Sequence, residues 1–321
     1  MWKKISAVLI PTVIAVAIIA WMLVRVWDDL LLALEHASLP FLILAVLVCS
    51  GAWLLRGWRY RFILKGLDIK IGLWFSTACI FVSQTANLII PARLGDLVRL
   101  FILRHEEDAT YSRGFSSLVV ERAFDIVMIS LLGVIALPYV LNVPDWFVPV
   151  ILVPIACGGL FILVLLMAGR LHTENRIILM VLGLLEEVKQ ASLNLAAFGV
   201  LSASSIVIWL TDVMVCYVVA LMFGDPIPFI VVVLAIVIGN LVKAVPLTPG
   251  GVGTYELSVA LTLELAGTAP AAATLIAVID HLIKNLVTLA GGVVSLYFFG
   301  DWSVDLMRRA FSKGLDTEEL R

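Results

Sequence analysis

The 321-residue chain is 62% hydrophobic and only 14% charged, with a net charge of −2 and a mean hydropathy of +1.09, whereas soluble domains carry roughly 25% charged residues. Apolar runs of the ~20 residues that cross a bilayer recur from end to end, and the polar gaps between them are too short for a soluble catalytic domain, which takes at least ~50 residues. This excludes a soluble enzyme, gives no support to nucleic-acid binding, and predicts an all-α polytopic membrane protein, a single integral membrane domain over 1–321.

Lys3 and Lys4 precede an uncharged run from Ile5 to Val24, too long for a signal-peptide core and followed by no small-residue cleavage pattern, so a retained first helix is expected. In the stretch after it, Leu30, Leu31, Leu34 and Ala37 oppose Asp28, Asp29 and Glu35, the pattern of a short interfacial helix. A second span, about residues 40–58, runs into Arg56, Arg59, Arg61, Lys65 and Lys70 with Trp53, Trp58 and Tyr60 as an aromatic belt; the basic cluster predicts a cytoplasmic end. From Gly72 an apolar run enters the membrane, breaks at Pro91 and continues as a segment too short to cross again, which reads as a re-entrant hairpin.

A span over about 114–137 carries Glu121, Arg122 and Asp125 and ends in a loop near Asn142 that lacks Lys and Arg and is expected outside. A span over about 147–168 leads to a second interfacial pattern, with Ile177, Val181, Leu184 and Val188 opposite Glu174, Glu187 and Gln190. The long run over about 193–223 holds Asp212 near its middle. A second hairpin follows and breaks between Pro246 and Gly253; the last span, about 270–299, carries Asp280, His281 and Lys284, and the tail holds Arg308, Arg309 and Lys313.

The expected layout is six full crossings and two hairpins in the cell membrane, with both termini cytoplasmic. It divides near residue 158 into halves, 1–158 and 159–321, that read as an inverted repeat. The two breaks resemble each other. Pro91 and Gly95 are four apart, as are Pro249 and Gly253; Asn87-Leu88 precedes one break and Asn240-Leu241 the other. Trp53-Leu-Leu-Arg56 also resembles Trp209-Leu-Thr-Asp212. Proline removes a backbone donor and Gly250, Gly251 and Gly253 permit conformations closed to other residues, so a helix entering here must stop. Broken helices in matching halves point to a binding site.

Three segments in order carry a family resemblance: Asn87-Leu-Ile-Ile-Pro-Ala-Arg-Leu-Gly-Asp-Leu-Val-Arg99, Glu121-Arg-Ala-Phe-Asp125, and Pro246-Leu-Thr-Pro-Gly-Gly-Val-Gly-Thr-Tyr-Glu256. Through them the chain resembles the lysylphosphatidylglycerol synthase transmembrane-region family, also described as flippase-like domain proteins. Two positions depart from the family pattern: Asp96 stands where Glu is usual, and His281 where an Arg is expected. The family's synthase members append an aminoacyl-transfer domain; with the sequence ending at Arg321, lipid aminoacylation is not expected.

Charges at bilayer depth pair, line a wet cavity or serve transport. The set of substrate-binding residues expected here is Asn87, Arg93, Gly95, Asp96, Arg99, Glu121, Arg122, Asp125, Asn240, Lys243, Pro249, Gly250, Gly251, Gly253, Glu256, Asp280, His281 and Lys284. Arg93 and Arg99 flank the first break, where guanidinium groups can grip phosphate oxygens. The helix N-termini near Asp96 and Thr254 favour anions. Glu256 and Asp280 are expected to hold basic residues or a cationic part of a headgroup. No H-E-x-x-H or metal-ligand cluster stands out, so neither metal nor other cofactor is expected. Cys49, Cys79, Cys157 and Cys216 read as small packing residues.

The resulting expectation is a non-enzymatic translocase of a phosphate-bearing lipid, either a phospholipid or a polyprenyl-phosphate glycolipid. A secondary transporter of a small anion and an accessory subunit of a glycolipid or envelope pathway are the alternatives. Homo-oligomers and glycosyltransferase or envelope-pathway partners stay open.

Overall fold

The computed structural model describes residues 2–27, 38–140, 144–168, 170, 174–224, 227–245, 247–300 and 302. Every regular element among them is helical: α1 (Trp2–Arg25), α2 (Leu39–Gly66), α3 (Leu73–Ile89), α4 (Val98–Glu107), α5 (Tyr111–Ala136), α6 (Phe147–Ala168), α7 (Arg176–Ser192), α8 (Leu195–Met222), α9 (Phe229–Ala244), α10 (Thr254–Leu265) and α11 (Pro270–Phe299). The first interfacial pattern at residues 28–37, Asn142, Pro246 and the basic tail lie outside the described residues.

On length and composition, α2, α6, α8 and α11 can each cross a membrane. Helix α5 has 26 residues, about 39 Å at 1.5 Å per residue, and differs in the charges it carries inward. Large apolar side chains cover the outside of the bundle, including Val148, Val153 and Leu160 on α6 and Leu286, Val294 and Phe298 on α11. Continuous apolar surface of this kind marks contact with lipid. The protein is an all-α polytopic membrane protein.

Helix α9 forms the core. Val231 to Gly239 are buried without interruption, as expected for a helix apolar on all sides, and α5, α6, α8 and α10 pack around it. Side-chain caps fix several starts: Asn194 Oδ1 accepts from the Ala197 N–H at 2.8 Å, and Asn175 Oδ1 from the Ile177 N–H at 2.9 Å, each replacing an orphan-donor bond with water.

Both breaks are present. Helix α3 gives out at Ile90, whose backbone is extended, and a tight turn over Pro91–Leu97 leads to α4. Helix α9 gives out at Val245, also extended, and Pro249–Gly251 leads to α10. The two turns touch each other. Contacts also cross between the halves: α3 packs on α11, α9 on α5, and α2 on α8.

Gly95 lets the first turn lie directly on α3, because a Cβ there would sit 2.4 Å from the Asn87 backbone nitrogen. That atom cannot move aside without unwinding α3. Gly95→Ala is therefore expected to lower the thermal unfolding midpoint in detergent, at about 1–3 kcal/mol for overpacking, and an unchanged midpoint would show that the turn can lift off.

The second span differs from the sequence expectation. Helix α2 continues to Gly66 instead of ending near residue 58, and Arg59 is 1% exposed. Arg56 and Arg59 thus do not end the span in a basic cluster but lie within the helix, where carboxylates on α5 and α8 draw them inward. Trp53 and Tyr60 are likewise buried, whereas Trp58 is exposed.

Candidate functional site

The two turns, together with α2, α3, α5, α8, α9, α10 and α11, enclose a cavity of about 190 Å³. Of the residues expected from sequence, Asn87, Arg93, Glu121, Arg122, Asp125, Asn240, Lys243, Pro249, Gly250, Gly251, His281 and Lys284 line it. Gly95, Asp96, Arg99, Gly253, Glu256 and Asp280 do not line it and stand behind this wall. Sequence reasoning missed Arg56, Arg59, Trp209, Asp212, Tyr255 and Asn285 as lining residues. The Trp53/Trp209 match held the available signal, since its fourth positions, Arg56 and Asp212, pair at 2.7 Å.

Three ionic groups form the wall and the layer behind it. In the first, Arg59 holds both Asp125 oxygens at 2.5 and 3.0 Å and Glu121 at 3.2 Å, while Ser205 accepts from it at 2.8 Å. Glu121 also binds Arg99, which lies under the Tyr60 ring at 4.8 Å. Arg99 is 0% exposed, so its expected grip on a phosphate has no room: its charge is spent on Glu121 and, at 3.6 Å, on Asp96.

In the second, Asp96 gathers donors from α3. Ser83, Gln84 and Asn87 donate to one oxygen at 3.2, 3.1 and 2.8 Å, and Arg122 to the other at 2.6 Å. The shorter carboxylate thus finds partners on the helix leading into its own turn. The third group joins α8, α10 and α11. Lys284 binds Asp280 at 2.9 Å and Asp212 at 3.5 Å, and the Tyr255 hydroxyl donates to Asp280 at 2.7 Å.

Glu256 accepts from the Gly253 N–H at 2.7 Å, capping α10 from its own first turn. The anion-binding end of that helix is therefore filled by the chain itself. The other Glu256 oxygen lies 2.7 Å from His281 Nδ1, and His281 Nε2 lies 3.0 Å from Lys243 Nζ. The basic partner of Glu256 is the imidazole.

Arg93 and Lys243 differ from every other cation on the cavity wall: among the described residues neither forms an ion pair. Arg93 donates to the Lys243 carbonyl at 3.2 Å, tying one turn to the other, and its φ of +55° is left-handed. Such strain, of order 1–3 kcal/mol, persists where the surroundings enforce it. Lys243 lies against Gly251, where a Cβ would come within 2.6 Å of its stem. Two uncompensated cations at the meeting of two broken helices make a site for an anion.

Fold and site together define a polytopic helical membrane protein with two helix breaks converging on one charged cavity. Residues 9–292 match the family described as lysylphosphatidylglycerol synthase TM region. The chain belongs to that family. It is 34% identical over 338 residues to a protein of Haloferax volcanii named glycosyltransferase AglD, the match covering 91% of this chain and 54% of that protein; the chain thus spans about half the length of that relative. It is 22% identical to UPF0104 membrane protein PH1989 of Pyrococcus horikoshii, over 92% of this chain and 97% of that one. With UPF0104 membrane protein MJ1078 of Methanocaldococcus jannaschii it shares 26% identity over 66% of this chain and 92% of that one.

Proposed function

We propose that the protein moves a phosphate-bearing lipid between the leaflets of its membrane, taking the headgroup into the cavity while the chains stay in lipid. The observation that carries this reading is the pair Arg93 and Lys243, the cavity cations that have no carboxylate partner among the described residues. A guanidinium can hold two phosphate oxygens at once, and an ammonium can meet a third. The cavity volume supports a headgroup rather than a whole amphiphile, since sites for complete small molecules run to about 300–1,000 Å³. In this reading the chain is a transporter and changes no covalent bond.

The crossed contacts of α3 with α11 and α9 with α5, and the Arg56–Asp212 pair at matching positions, support halves 1–158 and 159–321 related as an inverted repeat. Movement then exposes the site alternately. Single cysteines at Leu94 and Val252, in a background without native cysteines, are expected to react from opposite faces of the membrane, and labelling of both always from one face would refute the scheme. The same experiment applied to the two ends of the chain tests their cytoplasmic placement in the cell membrane.

The direct test uses purified protein in liposomes with a fluorescent phospholipid and a reductant that bleaches only the outer leaflet. Protein-dependent loss of the inner-leaflet signal is expected, reduced at least tenfold by Lys243→Met; equal rates with and without protein would defeat the translocase reading. The name of the AglD relative favours a second reading, an accessory subunit of a glycolipid pathway. Lipid that co-purifies with the protein but does not move in liposomes would select it, and mass spectrometry of that lipid would separate a polyprenyl-phosphate sugar from a phospholipid.

A further inference from the structure

Beyond the headgroup itself, and resting on that reading, we propose that the cavity binds a second ligand, a proton, which His281 takes up when an anionic headgroup engages Lys243. The His281 side chain is 1% exposed and held at both ring nitrogens. An ammonium only donates, so Nε2 accepts from Lys243 at 3.0 Å, and Nδ1 carries the ring proton and donates to Glu256 at 2.7 Å. Without headgroup the imidazole is neutral.

Lys243 suppresses a second ring proton in two ways: it occupies the Nε2 lone pair, and its charge repels an imidazolium. A phosphate in the cavity acts against both. It draws Nζ toward its own oxygens and places a negative charge where the ammonium stood alone. Nε2, stripped of its donor and buried, then binds a proton from water. The imidazolium forms an ion pair with Glu256, whose other oxygen stays on the Gly253 N–H. When the headgroup leaves, Lys243 returns to Nε2 and the proton departs. Headgroup and proton thus raise each other's affinity, and that coupling is reciprocal.

The other charged groups around the ring are committed elsewhere. From α10 the Tyr255 ring lies tilted against it at 4.5 Å and its hydroxyl is bound to Asp280. From α11 itself, Lys284 is paired with Asp280 and with Asp212 of α8, and Asp212 is further held by Arg56 of α2. Arg93, on the first turn, binds the Lys243 carbonyl and not its ammonium. The bond that can be exchanged is the one from Lys243 to His281.

The test is calorimetric titration of the full chain in detergent with a short-chain phosphatidylglycerol, whose phosphodiester does not titrate near neutral pH, in buffers of different ionisation enthalpy. Uptake of about one proton per headgroup is expected at the pH where the free ring is neutral, with affinity tightening about tenfold for each unit fall in pH across that window. His281→Gln keeps an acceptor for Lys243 and a donor for Glu256 but has no proton to gain, so it should bind without uptake. Where that variant does not fold, Lys243→Met serves: it removes the exchangeable partner, and residual binding on Arg93 should carry no uptake. Binding by the parent with no proton uptake, or uptake unchanged in either variant, overturns the coupling alone. Absence of any binding overturns the headgroup reading with it.

Discussion

Arg59→Met is expected to be the most destabilising single substitution in the cavity wall, by about 3–5 kcal/mol, the usual result of leaving a buried charge unpaired. Arg59 is the bidentate partner of Asp125, and among the described residues Asp125 has no other ion pair, whereas Glu121 keeps Arg99. The loss therefore falls on one carboxylate that is 8% exposed. Adding Asp125→Leu should recover most of the stability, because a buried ion pair replaced by apolar groups of similar volume is often neutral or stabilising. Heating the variants in detergent and measuring the monodisperse fraction by size exclusion checks both steps. If Arg59→Met alone melted with the parent, water rather than Arg59 would be solvating Asp125.

The same pair explains what the sequence reveals and what it hides. The helix breaks are legible because Pro91, Pro249 and the glycines act locally, through a missing donor and through backbone angles. The span over about 147–168 is legible because α6 is apolar throughout and its outward faces meet lipid. Arg56 and Arg59 were misleading for a non-local reason. Their partners lie 156 and 66 residues away, and a run of basic residues at a helix end has the same composition whether it faces headgroups or carboxylates. Counting charge therefore favours the cytoplasmic end of a span, and only tertiary contact reveals the interior pair. Arg99 illustrates the converse. It follows the first break as a phosphate-binding residue should, yet Glu121 and Asp96 reach it first. Selecting Arg93 over Arg99 requires knowing which cation was left without a carboxylate.

Arg93→Gly is expected to separate transport from stability. Lipid movement should fall at least tenfold, because the guanidinium that offers two parallel donors to a phosphate is gone, while the fold should stay within about 1 kcal/mol of the parent as three small effects offset one another. Glycine relieves the left-handed backbone at φ +55°, worth roughly 1–2 kcal/mol for a residue with a Cβ. Against that, it adds roughly 0.4–1 kcal/mol of unfolded-chain entropy. It also removes the hydrogen bond to the Lys243 carbonyl, worth roughly 0.5–1.5 kcal/mol. Arg93→Lys keeps a positive charge but presents a point donor on a flexible stem, so partial transport is expected. Arg93→Gln keeps neither charge nor fork and should move lipid no faster than Arg93→Gly. Liposome transport rates and unfolding midpoints measured on the same four proteins decide the matter. Parental transport by Arg93→Gly would make Arg93 a tie between the two turns and nothing more, and would leave Lys243 as the headgroup's cation.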